Sequence, residues 1–226
     1  VSGLGYRPFP LVIAAPSGTG KTTLARGLVG GSEGYRFSVS ATTRARRPGE
    51  RDGVDYHFVG RERFEAMAAA GELIEWAEVH GEAYGTPRRE LADGEAQGVH
   101  VVLDIDVQGA RQIRTAVPEA LLIFVLPPSV PALVARLRGR RTEDGAQVAR
   151  RLRTALDELG AVVEFDHVIV NDHVDRCVEE IRTIVRAEAL RTGRARSLED
   201  HVEEMRDEIE QLLRNEYADI SGQESP

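Results

Sequence analysis

The sequence predicts an α/β fold built on a parallel sheet flanked by helices. Three observations carry this. "PLVIAA" (10–15), "VHVVLDID" (99–106) and "ALLIFVL" (120–126) are short apolar runs rich in β-branched residues, as strands buried on both faces should be. Helical segments separate them, and strand–helix–strand alternation is how parallel strands are joined. The segment 38–95 breaks that rhythm with several shorter strands and reads as an insertion.

Each element follows from local pattern. The run 10–15 leads into a glycine-rich loop, after which "KTTLARGLV" is helical. "VDYHFV" (54–59) alternates like a half-buried strand. "RERFEAMAAAG" reads as a helix ending at Gly71, "ELIEWAEV" (72–79) as a strand, and "PRRELADGEAQG" as a helix opened by Pro87. A helix over 107–116 joins the second and third buried strands. "PPSVPALVARLRGRR" enters a helix and an arginine-rich turn, and another helix covers 144–160. "HVIV" (167–170) is the last strand, followed by a helix to about residue 190. The expected division of a single domain, 1–226, is a core (10–37, 98–130 and 161–190), an insertion (38–97), a helical segment (131–160) and a C-terminal extension (191–226).

Totals narrow the function classes. The 226 residues suit one compact domain, and 42% hydrophobic content supplies a core. The net charge of −8 argues against a general nucleic-acid binder, so anionic ligands need local arginine clusters. No apolar run reaches the roughly 18 to 20 residues of a membrane span, and the N-terminus lacks a secretory pattern. One cysteine, Cys177, excludes an intramolecular disulfide and fits a reducing, cytoplasmic setting. The six histidines lack metal-ligand spacing, so no zinc site is expected.

Lys21 is the sole lysine beside 28 arginines. It lies in Ala15-Pro16-Ser17-Gly18-Thr19-Gly20-Lys21-Thr22, which matches the P-loop pattern except for Ala15 at the first glycine. Backbone N–H groups of such a loop point inward and the following helix adds a positive end, so phosphate is held without side chains. A compact ammonium on a flexible stem can curl over that cradle where a planar guanidinium fits poorly. Thr22 offers a hydroxyl to Mg²⁺. Gly18-x-Gly20 is not a dinucleotide fingerprint, because Thr23 stands where the third glycine belongs.

"SVSATTRARRPGERDGVDYHF" (38–58) sets Arg44, Arg46 and Arg47 after a run of hydroxyls, suiting a second phosphate. "LIEWAEVHGEAYGT" (73–86) adds Glu75, Tyr84 and Thr86. A carboxylate accepts both the N1–H and N2 amino donors of guanine while a hydroxyl donates to O6; adenine offers no N1 donor. Asp104 and Asp106 end a buried strand, where open α/β sheets bind ligands; the same pair also suits the cap of the next helix.

The motifs "APSGTGKTT", "SVSATTRARRPGERDGVDYHF", "IEWAEVHGEAYGT", "VLDIDVQG", "RLRGRRT" and "VIVND", in order from about 10 to 190, resemble the guanylate kinase family. The resemblance implies a P-loop kinase core, an inserted mixed α/β GMP-binding subdomain, a helical lid and an extra C-terminal helix, with ATP-dependent, Mg²⁺-assisted phosphorylation of GMP and of dGMP. It implies that Ser40, Glu75 and Thr86 read guanine, and that Arg44, Arg47, Tyr56 and Tyr84 hold the GMP phosphate. It places Asp104 at the Mg²⁺ water shell with Thr22, and Asp106 near GMP. Arg136, Arg140 and Arg151 carry over as lid arginines at the transferring phosphate. Asn171 and Asp172 fall on the adenine side of ATP, a position that a plain turn after a strand explains as well. Arg141 departs from the glycine frequent in the family's "GRG".

Two other readings are weighed. A protein-binding module on the same fold has no need for Lys21, Thr22, Asp104 and the lid arginines. A kinase acting on a phosphorylated ribose has no base for Glu75 to read. Beyond 190, Leu198, Val202, Met205, Ile209 and Leu212 repeat at helical spacing. This stripe is expected to pack on the core rather than against a second subunit, which leaves monomer or homo-oligomer open. "ISGQESP" reads as a disordered tail.

Overall fold

A computed structural model of the chain describes residues 5–79, 81–138 and 145–217. Pro8–Ile184 form one compact unit, and Val1–Arg7 with Val185–Pro226 form a second.

The larger unit is built on a five-stranded sheet in the order β2-β7-β1-β8-β9, with every neighbouring pair parallel. The strands are β1 (Leu11–Ala14), β2 (Tyr35–Phe37), β7 (His100–Asp104), β8 (Leu121–Leu126) and β9 (His167–Val170). All of β1 is buried, and so are the first four residues of β7 and the first five of β8. This is why those three runs read as continuous apolar segments. Helices α1 (Lys21–Gly30), α4 (Val107–Ala116) and α7 (Val174–Ala189) follow strands β1, β7 and β9. On one side Val12, Leu103, Ile113 and Leu122 pack in a single cluster, and full burial of such side chains is worth about 1.5–3 kcal/mol each.

A second sheet, β4-β3-β6-β5, sits in the insertion. It contains β3 (Ala41–Thr42), β4 (His57–Phe58), β5 (Leu73–Val79) and β6 (Glu82–Pro87), with α2 (Arg61–Ala69) and α3 (Arg88–Gln97). Phe64 and Met67 of α2 pack on Ala41, Leu73 and Ala83. The mixed pairing, parallel for β3–β4 and antiparallel for β3–β6 and β5–β6, explains the broken rhythm of 38–95. The expected strand 54–59 shrinks to His57–Phe58, because Gly53, at φ +71°, turns the chain and its N–H bonds to the Tyr56 carbonyl. β2, β3 and β6 were not foreseen; the first two are three and two residues long, too short for a periodic signal. Pro87 caps α3 from outside and does not open it.

Helices α5 (Val130–Arg138) and α6 (Gly145–Leu159) meet through Leu133, Leu137, Val148 and Ala155. In the smaller unit, Tyr6 bridges Ala195 and Arg194 pairs with Glu188. Helix α8 (Leu198–Glu216) contains no buried residue, and Val202, Met205, Ile209 and Leu212 are each about half exposed. The expected burial of that stripe is not seen. The tail "ISGQESP" lies outside the described residues. No described helix is long and apolar enough to cross a membrane.

Candidate active site

The phosphate cradle stands at the carboxyl end of the central strand. Gly18 and Gly20 take φ of +92° and +96°, a backbone region that side chains with a Cβ disfavour. A Cβ on Gly18 would come 2.7 Å from Leu137 Cδ2, and one on Gly20 would come 2.9 Å from Asn171 Nδ2. The loop is therefore narrow as well as turned. Ala15 is buried beneath it, so the missing first glycine leaves the cradle intact. The Thr19 N–H bonds to the Pro16 carbonyl and the Thr23 N–H to the Gly20 carbonyl, which hands the loop to α1.

Lys21 leans toward the neighbouring strand. Its Nζ donates to the Ile105 carbonyl at 2.5 Å and lies 3.0 Å from Asp104 Oδ1. Thr22 Oγ1 donates to Asp104 Oδ2 at 2.5 Å. The register that pairs Ile13 with Asp104 brings these groups together. Asp104 Oδ1 is buried without a hydrogen-bond partner despite the nearby ammonium. Asp106 has moved out of the strand and caps α4, its Oδ1 accepting from the Gly109 N–H at 2.8 Å.

Two helices of the arginine-rich segment reach the loop. Arg136 donates to the Thr19 carbonyl at 2.7 Å and the Asn171 carbonyl at 3.0 Å. Arg151 donates through Nε and NH2 to Ser17 Oγ, at 3.2 and 2.8 Å. Arg140 and Arg141 lie outside the described residues. Two turns beyond Arg151, Glu158 Oε2 accepts from the Ser17 N–H at 3.2 Å. Burial pushes this carboxyl up, and Lys21 partly offsets it. Glu158 was missed in the sequence because its partner is 141 positions away.

A second cluster gathers around Glu75. It is 4% exposed, and Thr86 Oγ1 donates to its Oε1 at 2.6 Å across the β5–β6 pair. A Cβ on Gly109 would fall 2.6 Å from Glu75 Oε2, so the start of α4 closes over the carboxylate only because that residue is glycine. Desolvation raises the Glu75 pKa to about 7, opposed by the Thr86 bond and reinforced by Asp106. Lys21 also acts on Glu75 and Asp104 on Tyr56, so the two halves share one electrostatic field.

Arg44 stacks on Tyr56 at 5.3 Å and Phe58 at 5.7 Å, and Tyr56 meets Tyr84 at 6.0 Å between ring centres. Burial pushes the Tyr56 phenol up, so it stays a donor at neutral pH. Arg44 NH2 donates to Glu50 Oε1 at 2.8 Å. The Arg47 side chain is exposed and its backbone N–H bonds to Glu50 Oε2 at 2.8 Å. The Ser40 carbonyl accepts from the His57 N–H, tying the start of the insertion to β4. On the far side, Asn171 is buried and its Nδ2 donates to the Thr19 carbonyl at 2.7 Å, which makes it a brace of the loop. Asp172 pairs with Arg176 and accepts from the His173 N–H, a turn that starts α7.

Comparison with known proteins points to one family. The guanylate kinase family model matches residues 7–188. A guanylate kinase of Symbiobacterium thermophilum is 50% identical over 184 residues, covering 81% of this chain and 87% of that protein. One from Rhodopseudomonas palustris is 43% identical over 211 residues, covering 93% and 96%. The crystal structure of guanylate kinase from Anaplasma phagocytophilum superposes with a TM-score of 0.74 at 37% identity, covering 89% of this chain and 96% of that one.

Proposed function

This chain belongs to the guanylate kinase family, and we infer from that premise that it moves the γ-phosphoryl group of ATP to GMP, giving ADP and GDP. The observation that carries the choice of acceptor is the buried Glu75–Thr86 pair within the field of Lys21. A buried carboxylate with a hydroxyl beside it matches the guanine edge and rejects adenine.

We assign the residue roles as follows. Residues 15–23 hold the ATP phosphates, with Asn171 bracing the loop and Asp172 at its adenine side. Ser40, Glu75 and Thr86 read guanine, and Asp106 stands beside them. Arg44, Arg47, Tyr56 and Tyr84 take the GMP phosphate. Lys21, Arg44, Arg136, Arg140 and Arg151 neutralise charge on the transferring group. The attacking phosphate oxygen is already anionic, so direct in-line transfer requires neither a general base nor a covalent enzyme intermediate. Catalysis is alignment plus charge stabilisation in a site that excludes water.

The oxygen set of Thr22 and Asp104 suits Mg²⁺, which binds through one or two protein oxygens and the substrate phosphates. Asp104 Oδ1 has no hydrogen-bond partner and lies 3.0 Å from Lys21 Nζ, and it would serve the water shell of the ion. The ion would offset the charge of the donor phosphates. Lys21 pairs with Asp104 and bonds to the Ile105 carbonyl, and its flexible stem lets the ammonium serve the donor phosphates. The reading places the protein in the cytoplasm with dGMP as a second acceptor.

The test is ADP release with Mg·ATP and, in turn, GMP, dGMP, AMP, CMP, UMP and a phosphorylated ribose. Turnover confined to guanine nucleotides is expected. Turnover with another acceptor would keep the P-loop and overturn the Glu75 pocket. Folded protein that binds GMP without turnover would instead be a binding module.

A further inference from the structure

The segment Arg47-Pro48-Gly49-Glu50 forms a turn with proline at its second position and glycine, at φ +89°, at its third. The Glu50 N–H closes it on the Arg47 carbonyl at 3.2 Å. This is the residue order a type II turn demands. Its effect is to fold the Glu50 carboxylate back over the chain. Oε2 then accepts from the Arg47 N–H at 2.8 Å, and Oε1 accepts from Arg44 NH2 at 2.8 Å.

Arg44 is held on its other sides as well. NH1 donates to the Ala45 carbonyl at 2.8 Å, and the guanidinium plane lies over Tyr56 and Phe58. Its side chain is only 12% exposed. A guanidinium carries five N–H donors in a rigid plane, so fixing two edges aims the remaining donors. The Tyr84 phenol acts electrostatically on the same group. The carboxylate is held below its usual range, first by Arg44 and then by the Arg47 amide, so it stays ionised at neutral pH.

We propose that Glu50 is a positioning residue for the phosphoryl acceptor: anchored by the Arg-Pro-Gly-Glu turn, it presets the Arg44 guanidinium so that its free edge meets the phosphate of GMP. The proposal rests on the assignment of Arg44, Tyr56 and Tyr84 to that phosphate. A second anion close to the same cation weakens attraction for the incoming phosphate, and the structure accepts this loss to fix the geometry. A mere placeholder, displaced by substrate, would need no anchor on the Arg47 amide.

The test compares Glu50→Ala and Glu50→Gln with the wild type, and repeats Glu50→Ala in an Arg44→Ala background. Glu50→Ala is expected to raise KM for GMP by about 10- to 100-fold, the range spanned by one charge-assisted hydrogen bond, and to leave KM for ATP within about twofold. Glu50→Gln keeps an oxygen acceptor for Arg44 and is expected to recover part of that loss. In the Arg44→Ala background the Glu50 change should have no further effect on KM for GMP. An unchanged KM, a lowered KM or an additive double variant would each overturn the proposal. If Glu50→Ala does not fold, the Gln variant alone decides: a KM for ATP that moves as much as that for GMP would overturn it. Wild-type protein that does not phosphorylate GMP would sink the parent reading, whereas a normal wild type with an indifferent Glu50 sinks only this one.

Discussion

Replacing Glu75 with glutamine separates the stability of this fold from its function. Glu75 is 4% exposed and its pKa is raised from 4.5 to about 7. Between those values the folded chain keeps the proton and the unfolded chain releases it, so stability falls as pH rises through the window. At about 1.4 kcal/mol per unit, the loss across the window is about 3 kcal/mol, present in full above pH 7. Glutamine cannot ionise, and its Oε1 can still accept from Thr86 Oγ1. The variant should therefore gain on the wild type by about 2–3 kcal/mol more at pH 8 than at pH 5, where a part of the loss is already present, read from urea denaturation at both values. Activity should move the other way. Glutamine offers one acceptor where guanine presents two donors, so kcat/KM for GMP should drop by about two to four orders of magnitude. In the wild type, kcat/KM for GMP should decline as pH falls below about 7, because a protonated Glu75 accepts poorly. A stability difference that is the same at pH 5 and pH 8 would refute the claim that burial of this carboxylate strains the fold.

Three further outcomes follow from the donor side. Lys21→Ala should reduce kcat by at least about 100-fold with cooperative unfolding retained, since the lysine belongs to the loop and to none of the apolar clusters of the core; near-normal turnover would contradict the P-loop assignment. Gly18→Ala forces a Cβ at φ +92° to within 2.7 Å of Leu137, and should destabilise the protein by about 1–3 kcal/mol in a denaturant titration. Arg151→Ala removes both donors to Ser17 Oγ and should lower kcat more than KM for GMP in steady-state kinetics, because its target is the transferring group.

Strands β1, β7 and β8 were legible because burial on both faces leaves a run of apolar residues that no other element explains. The cradle was legible because its chemistry needs particular residues at adjacent positions. Contacts made across the fold were not. Glu158 meets Ser17 from 141 positions away, and although Arg151 was expected near the phosphates, its bonds to Ser17, 134 positions away, were not. Glu50 was passed over for a similar reason. In sequence it is one acidic residue among arginines, and the turn that returns it to Arg44 carries no periodic signal.

Glu75 marks where the pattern of a strand and the demands of a site diverge. In "LIEW" the bland expectation is that Ile74 and Trp76 face the core and the carboxylate faces water. Ile74 does pack against the core, but Trp76 is 47% exposed while Glu75 is buried between Thr86 and the start of α4. A register shift between Leu73 and Glu75 accompanies this arrangement. A sequence selected for stability alone would place an apolar side chain at 75, which is 4% exposed and takes its side-chain hydrogen bond from Thr86. Retaining an acid there costs stability, and under the proposed role the same group supplies selectivity: the two donors of guanine would satisfy the carboxylate, and a base without them would leave it desolvated and unpaired.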